Sequence, residues 1–243
     1  NGTTVARITI DTGDDTTNKD DGIIRFDTSS TGSLVERVRI DSSGQLGIGA
    51  NNNSSYDSNA RNVLIASSGN TGITIRSGGS SNYAMIHFAD GTSGSAEQRA
   101  GRILYEHSTD SLQFSTANTY RFKIDGSGRV LIGTTTEGHA AADDLTIATS
   151  GSTGITIRSG TSSEGNIFFS DATSGDAEYA GFITYDHSTN NMRFTTNATE
   201  RFRFTSGGQV VQYTNHTSGT SAHQNTGWYG DDANHYTLEY NDF

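Results

Sequence analysis

The residues best suited to chemistry crowd the end of the chain. Between 214 and 243 stand Trp228, Tyr229, Tyr236, Tyr240 and Phe243, together with His216, His223 and His235. Trp228 is the only tryptophan of the chain. Aromatic rings with polar rims stack on sugar faces and offer hydrogen bonds at their edges. Trp228, Tyr229, Tyr236, Tyr240, His216, His223 and His235 therefore form the candidate receptor-binding set. The plainer alternative is an aromatic core that seals the end of an assembly.

Other chemistry is thinner. The three terminal histidines lack metal-ligand spacing, and only symmetry between chains would gather them around an ion. The chain has no cysteine, so thiolate sites and disulfides are excluded. The carboxylate pairs Asp143-Asp144 and Asp231-Asp232 are sequence neighbours, and neighbours on a strand point to opposite faces. Nucleophile elbow, phosphate loop, zinc signature and dinucleotide fingerprint are all missing. No catalytic residue, metal or cofactor is assigned, and the acidic stretches "DTGDD" and "NKDDG" read as solvated loops, with calcium as the alternative. His107 and His187 recur at one repeat position, which points to a structural role. Arg37, Arg121 and Arg201 recur with Asp41 and Asp125, a pattern that reads by default as a solvated face, with cross-strand or interchain ion pairs as the alternative.

The elements that position these residues are repeats. "TGITIRSG" at 71–78 returns at 153–160, 82 positions later, and the likeness runs on through "YEHSTDSLQFSTANTYRFKI" and "YDHSTNNMRFTTNATERFRF". "GIIRFDTSSTGSLVERVRI" from Gly22 matches the later part of each copy. The chain divides into a partial repeat (1–49), a connector (50–70), a full repeat (71–136), a connector (137–152), a second full repeat (153–212) and a C-terminal tip (213–243). "GITIRS", "MIHFAD", "GRILYEH", "SLQFST", "YRFKID" and "RVLIG" alternate apolar with polar and predict strands. Gly, Asn, Asp and Ser between them predict turns. No helical period is sustained.

Composition adds the missing partner. Apolar residues make up 31% of 243, too few for one chain to bury a sizeable core alone. Other copies are expected to supply the burial. A net charge of -11 argues against nucleic acid and anionic membrane as partners. No apolar run is long enough to span a bilayer. In "RVRIDSSGQLGIG" (37–49), Gly47 and Gly49 alternate with Leu46 and Ile48. A strand that gives one face to glycine predicts close approach of another backbone, as three chains around one axis would provide.

"ERVRIDSSGQLGIG", "SGNTGITIRSG", "FADGTSG", "YEHSTDSLQFSTANTYRFKIDGSGRVLIGTTT" and "YDHSTNNMRFTTNATERFRF" resemble the repeats of tail-fibre proteins of marine, cyanobacterial-type bacteriophages. In that family such repeats are shaft segments of trimeric β-fibres and often precede an endosialidase-type intramolecular chaperone. The resemblance implies an all-β, elongated, intertwined homotrimer resembling a β-prism or triple β-helix. It implies a virion location outside the cell, other tail proteins at the N-terminal side, and a host cell-surface glycan or protein receptor. The third copy breaks pattern at "RFTSGGQVVQY", where Gln212 replaces Ile48 and Ile132 and Tyr213 replaces the glycines. That break predicts where shaft gives way to tip. A non-phage adhesive filament and a fibre-borne polysaccharide depolymerase are the alternative readings.

Overall fold

A computed structural model describes residues 4–12, 17–18, 20–50, 55–213, 225–230 and 236–237. Alternation places the strands, and the repeats fold as three antiparallel-based sheets. The first holds β1 (Ala6–Asp11), β2 (Ile23–Ser30), β3 (Ser33–Ile40), β4 (Leu46–Ile48) and β5 (Val63–Ile65), in that order. The second holds β6 (Tyr83–Phe88), β7 (Gly101–Glu106), β8 (Ser111–Thr116), β9 (Thr119–Ile124), β10 (Val130–Ile132) and β11 (Leu145–Ile147). The third holds β12 (Glu164–Phe169), β13 (Gly181–Asp186), β14 (Asn191–Thr196), β15 (Thr199–Phe204), β16 (Val210–Tyr213), β17 (Asn225–Gly230) and β18 (Tyr236–Thr237). The chain splits into two units, 1–148 and 149–243, and the division falls in the second expected connector. A short helix α1 (Ser95–Gln98) and a 3₁₀ turn (Asp176–Tyr179) occupy the same place in the two full repeats, as "SAEQ" and "DAEY". Among the described residues, no helix is long and apolar enough to cross a membrane. The fold is all-β.

The core hairpin is the same in each sheet. Two-residue turns with both central φ angles positive join β2 to β3 (Thr31, Gly32), β8 to β9 (Ala117, Asn118) and β14 to β15 (Asn197, Ala198). Such turns match the natural twist of an antiparallel pair. Each hairpin then carries a bulge at one place: register shifts after Phe26, Phe114 and Phe194, and the residue passed over is Arg37, Arg121 or Arg201. The recurrence of these arginines is thereby explained, and within the chain they do not pair with Asp41 and Asp125. The Nε of Arg37 donates to Thr28 Oγ1 (3.0 Å), that of Arg121 to Thr116 Oγ1 (3.2 Å) and that of Arg201 to Thr196 Oγ1 (3.3 Å). Asp41 and Asp125 instead close the next loop. Asp41 Oδ1 accepts the backbone N–H groups of Ser43 and Gln45, and Asp125 Oδ1 those of Ser127 and Arg129. Thr205 does the same for Gln209 through its hydroxyl. The reason is local: a short side chain at the first turn residue reaches its own loop before it reaches across the sheet.

Gly49 of the 37–49 stretch finds its close backbone within the chain. After β4, Gly49 turns at φ +71° and gives its N–H to Arg37 O (2.8 Å). A Cβ there would stand 2.1 Å from Ala66 O, the residue that follows β5. Expectation of a neighbouring chain at Gly49 is thus corrected: β5 of the same chain lies parallel to β4 and fills that approach. Gly133 repeats the arrangement at φ +73°, bonding Arg121 O, with β11 parallel to β10.

One expected strand is missing. "GITIRS" forms no ladder in either copy, and residues 71–76 and 153–158 are exposed. Backbone pairing, not alternation, makes a strand, and among the described residues these segments have no partner.

Candidate functional site

Registers sort every sheet into two unlike faces. Across the second sheet, one row reads Leu145, Val130, Ile124, Leu112, Tyr105, Ala84; the next reads Ile147, Ile132, Phe122, Phe114, Ile103, Ile86. The first sheet matches with Ile10, Ile24, Ile40, Leu46, Val63 and with Ile8, Phe26, Val38, Ile48, Ile65. In the third sheet the rows run Gly165, Tyr185, Met192, Phe204, Val210 and Ile167, Ile183, Phe194, Phe202, Gln212. Edge-to-face ring pairs line this face: Phe114 with Phe122 (5.5 Å), Phe194 with Phe202 (5.8 Å) and Phe202 with Phe204 (5.0 Å).

This apolar face is open. Among the described residues the only buried hydrophobic side chains are Ile23, Leu104 and Leu131, and none of them belongs to these rows. Leu104 and Leu131 lie on the opposite, polar face, in the row Thr146, Leu131, Lys123, Gln113, Leu104, Met85. There the side chains cover one another. Arg102 lies 5.3 Å from the Tyr120 ring centre, and Gln113 donates to Glu106 Oε2 (2.9 Å) and Ser111 Oγ (2.8 Å). Long polar chains laid flat over small ones give that burial. Gly47 stands where Leu131 does, between Arg39 and Leu64 in register, and is itself buried.

Ion pairs stay on the polar face, some between near sequence neighbours and others between strands. Arg39 meets Glu36 (2.8 Å), Arg203 meets Glu200 (2.7 Å), and Arg193 meets Glu164. Arg129 bridges Asp143 (2.8 Å) and Asp125 (2.7 Å), which together push its pKa further up. Of the neighbours Asp143 and Asp144, the first gives its carboxylate to Arg129, and the second accepts the Val130 N–H through its backbone carbonyl. Asp186 is held down at about 2 by hydrogen bonds from the side chains of Ser188 and Thr189. The recurring histidines pack alike: His107 edge-on to Tyr105 (4.9 Å) and His187 edge-on to Tyr185 (4.8 Å). Their repeat position is a packing position.

Trp228, Tyr229 and Tyr236 of the terminal set fall on the strands at one edge of the third sheet. β17 pairs with β16, so Trp228 sits opposite Val210 in register, and β18 sets Tyr236 opposite Gly230 and Thr237 opposite Tyr229. Trp228, Tyr229 and Tyr236 are thereby brought onto two adjacent strands. His216, His223, His235 and Tyr240 lie outside the described residues, as do Asp231-Asp232 and residues 13–15 and 19 of the two acidic stretches. The sheet continues past the expected boundary at 213, so the tip begins as an extension of the last repeat. No group of three metal-ligating side chains occurs among the described residues. Sequence reasoning missed the role of β17. Its signal was Tyr213, which keeps the chain extended where Gly49 and Gly133 bend it.

No protein-family model matches the chain, and no curated protein matches it.

Proposed function

We propose that this chain is part of a non-catalytic, homotrimeric β-fibre of the phage tail-fibre kind, which carries an attachment site for a host-surface glycan at its C-terminal edge. The observation that carries the reading is the open apolar face repeated in three successive sheets. Copies of the same chain, packing equivalent rows against each other around an axis, would cover that face and give an elongated fibre. Trp228, Tyr229 and Tyr236 on adjacent strands favour glycan contact, because stacked rings with polar rims suit sugar rings. Three identical edges add avidity, so each contact can be weak.

Native mass measurement tests the assembly: three times 25.9 kDa is expected, and a folded species of 25.9 kDa would sink the reading. Glycan-array and whole-cell binding test the edge. Truncation after 213 should leave the assembly intact and abolish binding; full binding by the truncated protein would remove the site from this edge.

A further inference from the structure

The segments 71–77 and 153–159 have the sequence of strands but belong to no sheet. Each reads Thr-Gly-Ile-Thr-Ile-Arg-Ser, a β-branched pattern suited to pleated pairing. Ile73 is 71% exposed and Ile155 70%, so neither copy has found cover. Among the described residues, no backbone hydrogen bond engages 72–77 or 154–159. Turns closed by Asn82 N–H to Gly79 O and Ser163 N–H to Gly160 O then lead into β6 and β12. Those two are edge strands with one ladder side open, and they carry exposed Ile86, Phe88, Ile167 and Phe169. The turn would permit an ordinary hairpin within the chain, yet the segment does not pair with the strand beside it. In the last repeat the segment touches that strand only through side chains among the described residues, Ile157 at 3.3 Å and Ser159 at 3.8 Å from the point where a Cβ of Gly165 would lie.

We infer that each Ile-Thr-Ile segment adds as a strand to the open edge of β6, or of β12, in a neighbouring copy of this chain. The occupant follows from counting ends. Per full repeat one chain carries one free segment and one open edge of the β6 or β12 kind, besides the opposite edge at β11 or β18, and identical copies match segment to β6 or β12 edge one for one. A head-to-tail exchange among three copies closes on itself and leaves neither over. A foreign partner would have to bring a strand and an edge of its own for each repeat. The added strand pairs otherwise unpaired N–H and C=O groups, as in strand addition to a sheet edge. It also blunts an apolar edge that would otherwise template aggregation. Isoleucines at alternate positions extend the apolar rows by one strand. The inference rests on the homotrimer reading, and its test separates the two.

Hydrogen exchange on the wild-type assembly comes first. Amides of 73–76 and 155–158 should exchange at least about 100-fold slower than in an unstructured peptide. Unstructured-peptide rates in a species of three-chain mass would overturn the inference and leave the trimer standing; a monomer mass would overturn both. Crosslinking then assigns the edge, in a chain that has no cysteine of its own. One tagged chain carries Ile75→Cys, and a differently tagged chain carries Ala84→Cys, Ile86→Cys or Phe88→Cys. A disulfide joining the two tags is expected with at least one of the three. A bond that forms only within one chain carrying both changes, or only to Leu145→Cys on the opposite edge, would overturn it. Ile157→Cys with Ile167→Cys repeats the trial in the last repeat, should the first set fail to assemble.

Discussion

The second and third sheets are built from nearly the same residues and end differently. After β10 the chain bends at Gly133, crosses over, and lays β11 parallel beside it. After β16 it runs on through Tyr213 and returns as β17, antiparallel. The first sheet sides with the second, through Gly49 and β5. One backbone position therefore separates a module that hands the chain onward from a module that folds it back. A glycine at positive φ permits the exit, and a β-favouring tyrosine removes it.

Substitution at that glycine should break the comparison hardest. Gly49→Val forces a β-branched residue to positive φ and drives its Cβ into Ala66 O. A loss of about 3 kcal/mol is expected, read by denaturant unfolding. An unchanged midpoint would mean that the crossover does not depend on this bend. Next comes the covered side chain that differs between the sheets. Leu131→Ala should cost about 2–3 kcal/mol because Leu131 is 1% exposed, and Val211→Ala about half as much at its half-buried counterpart. Equal losses would show that the two polar faces are packed alike.

A smaller effect is expected at Arg129, where the other sheets hold Gln45 and Gln209. Arg129→Gln should lower the melting temperature slightly, and high salt should do the same to the wild type while leaving the variant unmoved. The smallest effect is confined to the third sheet. Asp186 titrates at about 2 when folded and at 3.8 otherwise. Its contribution is therefore complete above pH 3.8 and fades as pH falls through about 2. Amide exchange in the hairpin of β13 and β14 should quicken over that window. Asp186→Asn should flatten the response, and an unaltered pH profile in that variant would assign it elsewhere.

Much of this was legible in the residues. Repeats at an offset of 82 located the sheets, and Gly, Asn and Ser turns located their hairpins. The break at Gln212-Tyr213 located the change of ending, though not its direction. What escaped depends on pairing. A one-residue bulge moved Arg121 from Asp125 to Thr116, and alternation alone does not announce a bulge. "GITIRS" had the composition of a strand, but a ladder needs a second backbone that its own sequence does not contain. Gly49 was correctly read as crowded, yet the crowding backbone arrives from β5, after a connector with no pattern. For the terminal set, register brings Trp228, Tyr229 and Tyr236 together, which their spacing of eight residues from first to last did not dictate.

The loops that leave the first and second sheets are built alike. Ser67 Oγ donates to Gly69 O and Asn70 O and meets Thr71 Oγ1; Thr149 Oγ1 repeats this with Gly151 O, Ser152 O and Thr153 Oγ1. Every junction between modules is thus one interchangeable part. Duplication or loss of an 82-residue block by recombination needs no new joint and leaves the ends of the array untouched. The number of modules can change in whole steps, independently of what the last sheet holds at its edge.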